Sequence, residues 1–249
     1  MKKSLFVYSL MLGALSNAAF ASWDGSVFIG ISGGWAQRHG DVDATITHPT
    51  PGPGITVFST DTGSSFDNGY LWGLLAGYEL HQNHWIVGLE ANLDWQDKRH
   101  KSDDNILAFT DSINQGWMYT PHYKTNAVLG ISGRLAYELF TYFVPYLRLG
   151  AEFSSNRLRF FAYDPTQGLF VEGDTRRHMT RLLLGAGAQI PIPIVMPGLS
   201  IRMEYNYHSG GKEIDCEGLA RPDYATLWNI NSKASTDSVK ASLVWNLPV

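Results

Sequence analysis

Hydrophobic and polar residues alternate along eight segments of the chain, and this two-residue period is typical of β-strands with one apolar face. The alternation is clearest where Trp85, Val87, Leu89, Ala91, Leu93 and Trp95 interleave with Ile86, Gly88, Glu90, Asn92, Asp94 and Gln96. The other segments cover residues 27–36, 70–80, 124–138, 146–154, 181–190, 199–208 and 238–247. A length of about ten residues suits tilted membrane strands, which need about 9–11, whereas soluble strands average five or six.

Charged side chains fall on only one face of these segments. Every apolar face is free of Asp, Glu, Lys and Arg, and the opposite faces carry most of the charged strand residues. A basic residue on a lipid-facing wall would cost about 2–4 kcal/mol at the bilayer midplane. Because a soluble barrel also alternates, with the apolar face turned inward, the period alone does not separate the two architectures.

The connections and the aromatic residues favour the membrane architecture. Short gaps at 81–84, 140–143 and 191–198 alternate with long polar gaps at about 39–68, 99–121, 160–176 and 209–236. Aromatic residues gather at the strand ends, with Trp85, Tyr137, Tyr146 and Trp245 near short gaps or the chain end, and Trp35, Tyr70, Trp95 and Tyr207 near long gaps. Outer-membrane barrels have short periplasmic turns, longer external loops and two aromatic girdles. We therefore predict an all-β fold: an eight-stranded antiparallel up-and-down transmembrane β-barrel with four long external loops.

The first residues indicate export. Lys2 and Lys3 precede an apolar run at 5–15, and Ala19 and Ala21 supply the small residues of a cleavage site. This order predicts a signal peptide over residues 1–21 and a barrel domain over 22–249. The net charge of −4 gives no indication of nucleic-acid binding. The single cysteine, Cys216, excludes an intrachain disulfide and is interpreted as a polar surface-loop residue.

Four segments carry a family resemblance: residues 27–34 (VFIGISGG), 73–78 (GLLAGY), 85–91 (WIVGLEA) and 204–207 (EYNY). They resemble strands of the OmpA-like, opacity-protein-like outer-membrane barrels. The resemblance implies a surface-exposed structural protein, antigen or adhesin, or a weak pore. It also implies contact with outer-membrane lipid and lipopolysaccharide, and a host or surface partner reached through the loops. The chain departs from the family in ending at Pro248-Val249 instead of a terminal Phe.

Charged residues on the inner faces form the first candidate site. They are Glu90, Asp94, Lys124, Arg134, Glu138, Arg148, Glu152, Arg202, Glu204 and Lys240. An eight-stranded barrel is just wide enough to be filled by side chains, and buried charges need partners. We expect an ion network that plugs the barrel, with a narrow polar path for small solutes as the alternative.

Two further hypotheses concern the strand ends and loops. His208 and Ser209 suggest the hypothesis that the protein is a lipid A deacylase. However, adjacent strand residues point to opposite faces, which disfavours a hydrogen bond between them. No metal or cofactor motif is present, so we expect a non-enzymatic protein without a cofactor. Aromatic candidates for loop contacts, whose alternative role is to pack the loops, are Trp117, Met118, Tyr119, Phe160, Phe161 and Tyr163.

Overall fold

A computed structural model describes residues 23–47, 68–98, 105–106, 118–164, 168–221 and 227–248. The predicted signal peptide lies outside these residues. The described residues form ten strands: β1 (Asp24–Thr47), β2 (Asn68–Gln82), β3 (Trp85–Lys98), β4 (Asn105–Ile106), β5 (Met118–Tyr137), β6 (Val144–Asp164), β7 (Leu169–Pro191), β8 (Leu199–His208), β9 (Ile214–Leu219) and β10 (Leu227–Pro248). Within the described ranges, no helix is long and apolar enough to cross a membrane.

The strands close into an antiparallel ring. Their order is β1-β2-β3-β5-β6-β7-β8-β10, and β10 returns to β1 along a register from Ser26↔Pro248 to Thr47↔Leu227. β10 pairs first with β9 over residues 227–232 and then with β8 over residues 236–245. β8 and β9 therefore occupy one position in succession, and the ring has eight positions. The prediction of an eight-stranded antiparallel barrel is confirmed.

Through the lower part of the barrel, the outer wall is apolar and the inner wall is polar. Outward residues such as Leu89 (62% exposed) and Ile31 (59%) alternate with buried inward residues such as Glu90 (3%). Aromatic pairs mark both borders of this apolar band: Trp35 contacts Tyr70, with ring centroids 5.0 Å apart, and Trp85 contacts Tyr137 at 4.9 Å. These are the positions that a lipid bilayer requires of a barrel wall.

Strands β6 and β7 are longer than the alternation in the sequence predicts. The gap at 160–176 was predicted as a long loop, but β6 continues to Asp164 and β7 begins at Leu169. Likewise, β9 and the first ten residues of β10 occupy most of the gap at 209–236. The strands beyond the apolar band, which we call the extension, comprise residues 38–47, 118–127, 155–164, 169–179, 214–219 and 227–236.

The extension encloses an apolar core. The buried members are Leu158, Phe160, Ala162, Leu169, Val171, Met179, Ile214, Cys216, Ala220, Trp228 and Ile230. Cys216 is 1% exposed, so its interpretation as a polar surface-loop residue is wrong. Phe160 is 3% exposed and packs in this core, which is the alternative role of the loop aromatic residues. On β6, the inward face therefore changes from polar in the membrane to apolar in the extension, because water replaces lipid outside the wall.

Candidate functional site in the barrel interior

Ionisable side chains fill the barrel below the extension. Eight of the ten predicted network residues are buried there: Glu90, Asp94, Arg134, Arg148, Glu152, Arg202, Glu204 and Lys240. Three further buried charged residues, Arg38, Glu79 and Arg181, join them. The buried set thus contains six basic and five acidic side chains, an almost balanced charge, as a low-dielectric interior requires.

The lowest cluster is centred on Glu79 of β2, which is fully buried. Its carboxylate accepts a short hydrogen bond from Arg134 and lies 3.5 Å from Nη2 of Arg202. Both arginines also donate to Oε1 of Gln189, at 2.7 and 3.0 Å. The Arg202 guanidinium lies 4.5 Å from the centre of the Phe28 ring, within cation–π distance. These contacts connect five strands, β1, β2, β5, β7 and β8, near the short turns.

The middle cluster is centred on Arg148 of β6. Its guanidinium lies 3.1 Å from a carboxylate oxygen of Glu90 and 3.0 Å from one of Glu204. It also donates to Asn92 at 2.6 Å and to Ser132 at 2.7 Å. Arg148 thus has four acceptors on three other strands, β3, β5 and β8, and its side chain occupies the lumen between them.

Tyr146 and Arg202 join the lower and middle clusters. Tyr146 was predicted in the lower aromatic girdle, but it is 4% exposed and its hydroxyl donates to Glu204 at 3.1 Å. Because Tyr146 occupies an even position on β6, the strand alternation turns it inward. Arg202 extends from the Glu79 cluster to Glu90, at 3.0 Å.

The upper cluster surrounds a small cavity. Lys240 contacts Asp94 at 2.6 Å, and His208 contacts Glu152 at 2.6 Å. The second ring nitrogen of His208 lies 3.1 Å from Oγ of Ser238. These residues line a cavity of about 50 Å³, a volume suited to a few water molecules.

Arg38 and the apolar core of the extension close the lumen above this cavity. The Arg38 side chain is 1% exposed and donates to Thr125 at 2.7 Å and to Gln96 at 3.3 Å. Trp228, a member of the apolar core of the extension, is fully buried. The lumen is therefore occupied by charged side chains in the membrane part and by apolar side chains in the extension.

Two predicted network residues lie outside the interior. Lys124 is exposed, because a β-bulge between Thr125 and Val128 shifts the register and reverses the inward positions. Thr125, before the bulge, points inward at an odd number, whereas Ser132 and Arg134, after it, point inward at even numbers. Glu138 follows the end of β5 at the short-turn end, where its backbone N–H donates to the carbonyl of His84 at 2.8 Å. The period of two cannot reveal either a bulge or a strand end.

The catalytic hypothesis on His208 and Ser209 fails on geometry. Ser209 Oγ accepts the backbone N–H of Leu182 at 2.9 Å, whereas His208 points inward to Glu152 and Ser238. Among the described residues, no group of three or more His, Cys, Asp or Glu side chains is arranged to hold a metal ion.

The loop candidates divide between described and undescribed residues. Phe161 and Tyr163 are 43% and 37% exposed on the outer face of β6. Met118 and Tyr119 begin β5, and only their backbone is described. Trp117 lies outside the described residues.

Four residues of the interior were not included in the predicted network: Arg38, Glu79, Arg181 and His208. Glu79, Arg181 and His208 occupy inward positions by strand alternation, so the signal was present in the sequence. Arg38 continues the inward series of β1 past Ala36, beyond the predicted strand end. What the alternation cannot supply is the pairing, because partners such as Glu79 and Arg202 are 123 residues apart in the chain.

A comparison with family models decides the family. The model described as "Outer membrane protein beta-barrel domain" matches residues 7–246. The chain belongs to the outer-membrane β-barrel family. This family member resides in the bacterial outer membrane, and its apolar outer wall is the lipid-facing surface. A comparison with curated proteins gives no match.

A comparison with solved structures finds similar outer-membrane proteins. The attachment invasion locus protein Ail of Yersinia pestis is 17% identical, over 88% of this chain and 98% of its own, with a TM-score of 0.37. OprG of Pseudomonas aeruginosa is 15% identical, over 91% and 98%, with a TM-score of 0.46. Neisserial surface protein A is 15% identical, over 86% and 95%, with a TM-score of 0.33.

Proposed function

We propose that this protein is a closed, non-enzymatic outer-membrane barrel that holds its extension above the outer surface as a rigid platform for surface contacts. The observation that carries the proposal is the filled lumen, in which Arg148 contacts four acceptors on three other strands. The platform belongs outside the cell, because outer-membrane barrels place their short turns in the periplasm.

The packing of the interior argues against a permanent pore. Charged pairs at three levels and the apolar core above them leave a cavity of only about 50 Å³ around His208 and Lys240. A conducting path would require Arg148, Arg202 and Arg38 to leave their partners. Breaking buried charge pairs costs about 3–5 kcal/mol each, so an open state is rarely populated.

The Ser238–His208–Glu152 chain does not favour an enzyme. The order of hydroxyl, imidazole and carboxylate is that of a hydrolytic triad. However, Ser238 is 2% exposed, and the adjoining cavity has room for water molecules and not for an acyl chain. We therefore assign the hydrogen bonds between Ser238, His208 and Glu152 to the structural network of the lumen.

The extension supports a role in surface contact. Its own apolar core makes it rigid, and binding residues concentrate on segments held by rigid scaffolds. Phe161 and Tyr163 present aromatic rings on its outer wall. Exposed aromatic residues are enriched where proteins bind one another.

Conductance in planar bilayers tests the closed lumen. We expect no discrete current steps at high protein concentration, and no swelling of proteoliposomes in small sugars or amino acids. Reproducible single-channel steps from the folded wild-type protein would contradict the closed barrel. An unrelated porin, purified and inserted in the same way, serves as the positive control.

Cell adhesion tests the platform. Bacteria that display the protein should adhere to epithelial cells more than vector controls do, and Phe161→Ser/Tyr163→Ser should reduce this adhesion. Leu219→Ser is a matched control, because Leu219 is an exposed apolar residue of the same extension on β9. Equal adhesion of the double variant and the wild type would remove the aromatic surface from the proposal.

A further inference from the structure

Three basic residues lie side by side on the outer wall of the extension. In the antiparallel register, Lys124 of β5 is directly opposite Arg157 of β6, and Arg157 is directly opposite Arg176 of β7. All three side chains point away from the barrel interior. Like charges directly opposite each other on neighbouring strands destabilise a sheet. This basic row therefore needs a compensating negative charge.

The protein supplies only part of that charge. Asp174 accepts a hydrogen bond from Nε of Arg157 at 2.7 Å, but it is shared with Arg159, whose Nε lies 3.0 Å away. The hydrogen bond from Arg157 lowers the pKa of the Asp174 carboxyl, which stays ionised. Arg176 donates to the hydroxyl of Ser155 at 2.7 Å. Among the described residues, neither Arg176 nor Lys124 has a carboxylate within ion-pair distance.

The row lies just above the lipid-facing band. On β6, the last exposed apolar residue of that band is Phe153, four positions before Arg157. Four residues at about 3.3 Å each, on a strand tilted by about 45°, raise the row roughly 9 Å above Phe153. This is the level at which lipid headgroups begin outside the hydrocarbon core.

The part of the extension formed by β9 carries negative charge. On β9, Asp215 and Glu217 point outward beside the apolar Leu219, and all three are exposed. The basic row therefore differs from a uniform ring of charges around the rim. It is a local surface on β5, β6 and β7.

We propose that Lys124, Arg157 and Arg176 form a binding site for the phosphate groups of lipopolysaccharide in the outer leaflet. Arginine guanidinium groups bind phosphate oxygens through paired hydrogen bonds, and a lysine adds a flexible point charge. A phosphate above the row neutralises the opposed cations and fixes this side of the extension to the membrane surface. The site is independent of the closed lumen, so failure of one proposal leaves the other standing.

The test compares Lys124→Gln/Arg176→Gln with Lys212→Gln/Lys233→Gln. Both variants remove two cations from exposed positions, but Lys212 and Lys233 lie outside the row. Arg157 is retained so that its contact with Asp174 remains. Each folded barrel is placed in phosphatidylcholine nanodiscs and titrated with phosphorylated lipid A, with dephosphorylated lipid A and with soluble pyrophosphate. Binding is measured through the rise in unfolding temperature at low and at high salt.

We expect phosphorylated lipid A to raise the unfolding temperature of the wild type and of the control variant. The row variant should bind it about 25-fold more weakly, since each of the two removed cations contributes about fivefold near anionic lipid. High salt should weaken the response. Asp174→Asn should strengthen binding, because it frees two arginines from their shared carboxylate.

Three results would overturn the proposal. Equal affinities of the row variant and the control variant would remove the three residues from the site. An equal response to dephosphorylated lipid A would show that phosphate is not recognised. A response to pyrophosphate that matches or exceeds the response to phosphorylated lipid A would assign the row to a soluble anion.

Discussion

Replacing Arg148 with Met is the most direct perturbation of the lumen. Met is unbranched and apolar, so it occupies much of the same space without the charge. The substitution removes four contacts of Arg148: those with Glu90 and Glu204 at 3.1 and 3.0 Å, and those with Asn92 and Ser132 at 2.6 and 2.7 Å.

The loss of stability depends on the contacts that the partners of Arg148 retain in the variant. Glu90 keeps Arg202 at 3.0 Å, and Glu204 keeps hydrogen bonds from Tyr146 and Asn206. Each carboxylate therefore keeps at least one polar partner, but both lose the cation that they share in a buried site. Removal of one partner from a buried pair costs about 3–5 kcal/mol, and we expect a free energy of unfolding lower by about 3 kcal/mol.

A double-mutant cycle separates this coupling from general damage. Arg148→Met, Glu204→Gln and the double variant are unfolded with urea in lipid vesicles, and tryptophan fluorescence reports the transition. The double variant should be more stable than the sum of the single costs predicts, by at least about 1.5 kcal/mol. Lys124→Met is the matched control, because Lys124 is exposed, and it should change stability by less than about 0.5 kcal/mol. Additive costs, or an Arg148→Met cost below about 1 kcal/mol, would refute the network.

Three other predictions follow from packing and burial. Gly77→Ala should destabilise the barrel in urea, because an added Cβ would lie 2.4 Å from the Phe28 ring, whereas Gly33→Ala, with its nearest neighbour at 4.0 Å, should not. Cys216 should resist maleimide in the folded protein and react after denaturation, since it is 1% exposed and burial raises the pKa of its thiol to about 11. Trp228→Ala should make the extension sensitive to protease, at a cost of about 3–5 kcal/mol, while the gel shift of the folded barrel persists.

The membrane part of the fold can be predicted because two requirements act on the same residues. Strand geometry places alternate residues on opposite faces, and lipid requires one of those faces to be apolar along its whole length. Residues 85–96 satisfy both, and Leu89 and Glu90 lie on the predicted sides of the wall. The closed ring follows, because a sheet edge in lipid leaves backbone groups unsatisfied.

The extension was missed because its alternation has the opposite polarity. In residues 157–162, Arg157, Arg159 and Phe161 point outward, and Leu158, Phe160 and Ala162 point inward. A search for lipid-facing apolar residues rejects this segment, although its period is still two. The bulge after Thr125 was missed for a different reason: it changes the register in the space of a few residues and leaves no periodic signal.

The two interiors show how the surroundings of a narrow barrel determine what fills it. In the membrane, lipid takes the apolar face, so the inner face receives polar residues, and their charges must pair because few water molecules fit between them. In the extension, water takes the polar face, and the inner face becomes an ordinary apolar core around Trp228. The boundary lies near the upper cluster of His208 and Lys240, where the cavity of about 50 Å³ is found. The ion network and the apolar core meet near this level, where Nη2 of Arg181 lies 3.8 Å from Sδ of Met179, and we expect substitutions in either half to weaken that half first.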